Sequence, residues 1–119
     1  MCTGEHVMNV ALKQLGVNYY DGGESPTKGF DSPGLVVYCY KQACGMDLPH
    51  QISELVKLGE PIIIPGYIRP GDLVFLRYSS KLVGIALSNI QMVVAPPVPG
   101  GKVKIEYFSN AFGLGRRLL

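Results

Sequence analysis

Apolar residues recur at helical spacing through the first third of the chain, then give way to short, dense apolar runs. Val7, Val10, Ala11, Leu12 and Leu15 form a stripe that predicts a helix over 5–15, stopped by Gly16. Residues 17–31, rich in Tyr, Gly, Asp, Ser and Pro, read as a loop. A second helix is expected from Ser32, with Ser32 as N-cap and Pro33 in the first helical position. Leu35, Val36, Cys39, Tyr40 and Ala43 line one face of it, and Gly45 supplies a left-handed stop. Residues 51–58 predict a third short helix, capped by Gly59.

From Pro61 the period changes. Ile62–Ile64, Asp72–Arg77, Val83–Leu87, Met92–Ala95 and Val103–Tyr107 are β-branched or aromatic runs separated by Pro-Gly, Ser-Ser, Ser-Asn and Pro-Gly-Gly turn signals. Helices followed by an antiparallel sheet is the α+β order. No repeat and no linker divides the chain, so residues 1–119 read as a single domain, with Pro96–Pro99 as a rigid loop.

Composition narrows the function. Hydrophobic residues make up 47% and charged residues 17%, which suits a packed core and argues against disorder. Eleven basic against nine acidic residues give a net charge of +2, and the basic residues are scattered, so no nucleic-acid partner is expected. No apolar run approaches the roughly 20 residues of a membrane span. No charged-then-apolar leader is visible, which favours a cytoplasmic location, or an extracellular one if a leader has been removed.

Two histidines and three cysteines leave little for a metal cage or a Cys–His pair, and no metal or cofactor is expected. Three cysteines are an odd count for a disulfide framework. Cys39 and Cys44 diverge on a helix, Cys39 reads as a small core residue, and Cys2 is expected at a mobile terminus.

Several segments, in order, resemble one family. They are Gln14-Leu15-Gly16-Val17 with Tyr19 and Gly22-Gly23, Gly29-Phe30-Asp31-Ser32-Pro33-Gly34-Leu35-Val36, and Leu48-Pro49. Pro70-Gly71-Asp72-Leu73-Val74-Phe75, Val83-Gly84-Ile85-Ala86-Leu87 and Gln91-Met92-Val93-Val94-Ala95-Pro96 complete the set. Together they resemble the NlpC family of papain-like cysteine peptidases, which cut peptide stems in bacterial cell walls. Its corresponding motifs are QLG-x-x-Y-x-x-GG, GFDCSGLV, LPR, PGDLVFF, HVGIYL and QMIHAP. The resemblance covers nearly the whole chain and implies a papain-like fold, with N-terminal helices packed on a C-terminal antiparallel sheet.

The same alignment implies that the catalytic triad is replaced. The family's nucleophilic Cys falls on Ser32, its basic His on Leu82 and the His that orients the base on Val94, while Pro33 takes the place of the Ser after the nucleophile. A thiol is readily ionised at a helix N-terminus beside an imidazolium, whereas an alcohol needs a base to take its proton during attack. Leu82 and Val94 accept no proton and are expected to make the floor of the old site apolar. His50, which stands where the family has the Arg of LPR, is a candidate replacement base. His6 and Asp31 are weaker candidates. The plainer alternatives are a solvated loop for His50, an N-cap for Ser32, and for Asp31 a carboxylate favouring the positive end of the second helix.

What the resemblance leaves is a binding groove lined by Tyr19, Asp21, Asp31 and Ser32, with Tyr20 as a neighbour. Tyr19 either donates to a ligand carbonyl or packs against the sheet. Arg116 and Arg117 resemble the family's closing GxRR, or else blunt an edge strand. Three functions compete. The first is an inactive peptidase-like domain that binds a peptide, cell-wall fragment or protein partner. The second is a divergent hydrolase using Ser32 with a relocated base. The third is a structural or assembly role, with Ile62–Ile64 and Leu118-Leu119 as a contact surface.

Overall fold

The computed structural model describes residues 2–119. Helix α1 spans Gly4–Leu12 and begins in a capping box, with the Thr3 side chain accepting from the His6 amide. His6 Nδ1 in turn accepts the Thr3 amide at 3.1 Å, so this candidate base is engaged at the helix start. A two-residue hairpin follows, β1 (Glu24–Ser25) against β2 (Gly29–Phe30). Helix α2 spans Ser32–Cys44 and ends at Gly45 in the left-handed conformation, as its pattern predicts.

The N-cap of α2 is Asp31, not Ser32. Its carboxylate accepts the Gly34 amide, while Ser32 occupies the first helical position with its side chain turned into the protein. Helix α3 is one turn, Ile52–Leu55. Beyond Val56 the amides of Lys57 and Leu58 bond three residues back, which tightens the chain out of the α-helix before Gly59.

The remaining strands form one antiparallel sheet: β3 (Glu60–Ile62), β4 (Leu73–Leu76), β5 (Val83–Ala86), β6 (Gln91–Val94), β7 (Lys104–Tyr107) and β8 (Phe112–Arg117). Their order across the sheet is β3-β8-β4-β5-β6-β7. Strand alternation sorts their side chains onto two faces. Leu73, Phe75, Val83, Ile85, Val93 and Ala95 face the helices and pack on Val7, Ala11, Leu35, Val36, Cys39 and Tyr40. Val74, Leu82, Ala86, Met92 and Val94 form a second apolar cluster with Ile62, Ile68 and Phe108. The expected α+β architecture is therefore present.

Four expectations change. Strand β8 carries no β-branched run, yet it lies inside the sheet between β3 and β4. At Gly113 of this strand a Cβ would press on the main chain of Phe75 and Arg77, which disfavours a larger residue there. Arg116 and Arg117 therefore do not blunt an edge. Arg116 donates to the Val56 and Gly59 carbonyls, and Arg117 grips the buried Asp72 through both carboxylate oxygens at 3.0 and 2.8 Å.

Cys2 is not a free end, because a Cys2–Cys44 disulfide ties the start of the chain to the end of α2, with Cα atoms 5.3 Å apart. Of the apolar residues offered as a contact surface, Ile62 is buried and Leu118 packs on the core, leaving Ile63, Ile64 and Leu119 exposed. Among the described residues no helix is long and apolar enough to cross a membrane.

Candidate functional site

The start of α2 is built around Asp31. One carboxylate oxygen, Oδ1, accepts the Gly34 amide at 2.7 Å, and the other, Oδ2, accepts the Gly22 amide at 2.9 Å. The Asp31 amide donates back to the Gly23 carbonyl. The carboxylate thus caps the helix and pins the preceding loop to it. Gly34 permits this approach, since a Cβ there would strike the Gly23 carbonyl.

Ser32 points inward and is 1% exposed. Its hydroxyl donates to the Val83 carbonyl at 2.8 Å and accepts the Val83 amide at 2.7 Å. It therefore serves as a bracket between the first turn of α2 and the start of β5. Among the described residues, no histidine or carboxylate hydrogen-bonds to it.

Leu82, which adjoins Val83, and Val94 belong to the second apolar cluster, on the sheet face opposite α2. Neither is among the residues that line the cavity at the start of α2. With its proton donated to a main-chain carbonyl, one lone pair held by the Val83 amide and no base among the described residues in hydrogen-bond contact, the Ser32 hydroxyl is poorly placed to attack a carbonyl.

Tyr19, Asp21, Asp31 and Ser32, the four residues predicted to line a groove, do meet in one cavity of about 310 Å³. Pro33, Lys81 and Pro97 complete its wall. The volume is at the small end of the roughly 300–1,000 Å³ of ligand pockets. The Tyr19 hydroxyl donates to Asp21 Oδ1 at 3.4 Å. Partial burial, the charges of Asp21 and Asp31, and that hydrogen bond raise its pKa above the ordinary tyrosine value.

Tyr20 is exposed and lies outside the lining. Lys81 went unnoticed in the sequence, although it directly precedes Leu82. Pro97 belongs to a loop read there only as rigid. The wall thus carries two carboxylates, one ammonium and a phenol, a set suited to hydrogen-bonding a polar, peptide-sized group. Among the described residues, no cluster of His, Cys, Asp or Glu is arranged to hold a metal ion.

His50, the first candidate base, lies beside this site. It is bound to Glu24 and Asp31 and makes no hydrogen bond to Ser32. Burial alone would lower its pKa. Hydrogen bonds to the two carboxylates, and their charges, outweigh that and raise it. Cys39 is fully buried in the core, and burial pushes its thiol pKa well up, which leaves it inert as a nucleophile.

A model of the NlpC/P60 family matches residues 16–116. The chain is 35% identical over 109 residues to a gamma-DL-glutamyl hydrolase of Bacillus subtilis, covering 89% of this chain and 26% of that protein. It is 32% identical over 110 residues to the murein DD-endopeptidase MepH of Escherichia coli, covering 88% of this chain and 40% of that protein. It therefore spans well under half the length of either relative. The crystal structure of the NlpC/p60 domain of the peptidoglycan hydrolase SagA superposes with a TM-score of 0.86 at 30% identity. That superposition covers 97% of this chain and 98% of the other.

Proposed function

The chain belongs to the NlpC/P60 family as a cell-wall peptidase-type domain, and we propose that it is a non-hydrolytic member that binds a peptide through the cavity at the start of α2. The observation that carries this reading is the Ser32 hydroxyl, bonded at 2.8 and 2.7 Å to the carbonyl and amide of Val83. A nucleophile in that position needs a free proton path to a base. Here the proton is donated to a main-chain oxygen, and the positions aligned with the base and its partner are Leu82 and Val94. A relocated base is the competing reading. The pairing of His50 with Glu24 and Asp31 weighs against it.

Binding is favoured over a purely structural role because the cavity persists, lined by Tyr19, Asp21, Asp31 and Lys81. Relatives are named for acting on murein and on glutamyl linkages, which makes a cell-wall stem peptide the first ligand to test. A protein partner presenting a similar peptide is the other. The Cys2–Cys44 disulfide supports work in an oxidising compartment outside the cytosol, the second of the two locations the sequence left open.

Isothermal titration of the chain with soluble muropeptides tests the binding. Heat of binding that disappears in Asp21→Asn and Lys81→Ala supports the reading. An equal response from all three proteins counts against the cavity, and the appearance of cleaved product overturns the non-hydrolytic assignment.

A further inference from the structure

His50 sits between two carboxylates drawn from separate parts of the chain. Its Nδ1 lies 2.6 Å from Glu24 Oε2 and its Nε2 lies 2.8 Å from Asp31 Oδ1. A neutral imidazole carries one N–H and one lone pair, so only the imidazolium donates to both acceptors. In the neutral ring, one of these two short contacts sets a nitrogen lone pair against a carboxylate.

We propose that His50 is a proton-operated clip: protonated, it fastens β1 to the capped start of α2, and on losing its proton it lets go of β1. The arm that opens is set by solvent. The Asp31 side chain is 15% exposed and already bound by two amides, whereas the Glu24 side chain is 52% exposed and solvates readily when released. The remaining proton therefore stays on Nε2, facing Asp31, and Glu24 turns to water.

The clip bears on the cavity through a short path. Asp31 lines it, and Asp31 Oδ2 holds Gly22 beside the lining residue Asp21. Glu24 continues from that loop into β1, which packs against α2. Releasing Glu24 leaves the loop from Asp21 to Glu24 held by Asp31, by the local bonds of Tyr19 to Asp21 and of the Gly23 amide to the Tyr20 carbonyl, and by the two residue pairs of the β1–β2 hairpin. Glu24 of β1 and Asp31 at the start of α2 are the charged groups that act on the ring, and both favour its charged form. An arginine, which the family resemblance has at this position, would hold both arms at every accessible pH. Histidine makes the hold conditional. The clip rests on the His50, Glu24 and Asp31 geometry and not on the reading of the cavity as a peptide site.

The sign of the pH effect follows from linkage. The folded-state pKa of His50 is raised, so its stabilisation is complete below the unfolded value and is lost as pH rises through the folded one. The test is a pH titration by heteronuclear NMR of the wild-type chain, Glu24→Gln and His50→Arg, with melting followed in parallel. The wild-type ring should titrate above about 6.5, the free-imidazole value. It should leave an Nε2–H tautomer, and the Gly22, Glu24 and Ser25 amides should shift at the same midpoint.

Glu24→Gln should lower that midpoint. His50→Arg should abolish the amide step and flatten the fall in melting temperature across that window. A ring that titrates at or below the free value overturns the proposal. So does a silent loop at the His50 midpoint, or the same step persisting in His50→Arg.

Discussion

Replacing Ser32 with alanine separates a structural hydroxyl from a catalytic one. In the folded protein that hydroxyl is buried and accepts the amide of Val83, a residue with no exposed surface. Removing it leaves a buried N–H without this partner, at a cost of about 1–3 kcal/mol. The alanine adds little compensating burial, because it differs from serine by one atom. A domain of this length loses roughly 4 °C of melting temperature per kcal/mol, so Ser32→Ala should melt about 4–12 °C lower. Circular dichroism or calorimetry reads this directly. Ser32→Cys should fall between the two, since a thiol keeps a weak donor and acceptor. A Ser32→Ala protein that melts with the parent would refute the bracket between α2 and β5.

Other perturbations probe the same frame. The Cys2–Cys44 bridge closes a sequence separation of 42, and the chain-entropy estimate for a loop of that size is about 4 kcal/mol. The Cys2→Ser, Cys44→Ser double variant should unfold at markedly lower urea, and an unchanged midpoint would show that the bridge constrains nothing. Arg117→Ala leaves the Asp72 carboxylate, whose side chain is 5% exposed, with the Arg69 amide but no cation, and should destabilise by roughly 3–5 kcal/mol in urea unfolding. Arg117→Lys should recover only part of this, because the two-point grip is lost.

The fold was legible because its elements are locally consistent. The α2 stripe, the Gly45 stop and four of the six strands of the main sheet follow from spacing and turn residues, while β3 starts two residues before the Ile62–Ile64 run and shares only Ile62 with it. Strand β8 escaped because it carries glycines in place of β-branched residues, one of them Gly113 close against the main chain of Phe75 and Arg77, and this removes the usual strand composition. The four residues offered as a groove do converge, since they lie on the loop and helix start that the Asp31 cap joins.

What the sequence could not show was orientation. Asp31 and Ser32 are adjacent and both suit an N-cap, and only the packing of α2 on β5 decides which one turns inward. Leu82 and Val94 stand at aligned triad positions, yet strand alternation carries them to the opposite sheet face. The Cys2–Cys44 pairing joins segments that no spacing rule brings together; it depends on α1 folding back along α2.

The central claim is that the Ser32 hydroxyl belongs to the scaffold and not to a reaction. It is tested most directly by incubating the purified chain and its Ser32→Ala variant with soluble muropeptides and following product by liquid chromatography and mass spectrometry. Both proteins should leave the substrate at the level of a no-protein control. Product formed by the parent chain and abolished in Ser32→Ala would contradict the account.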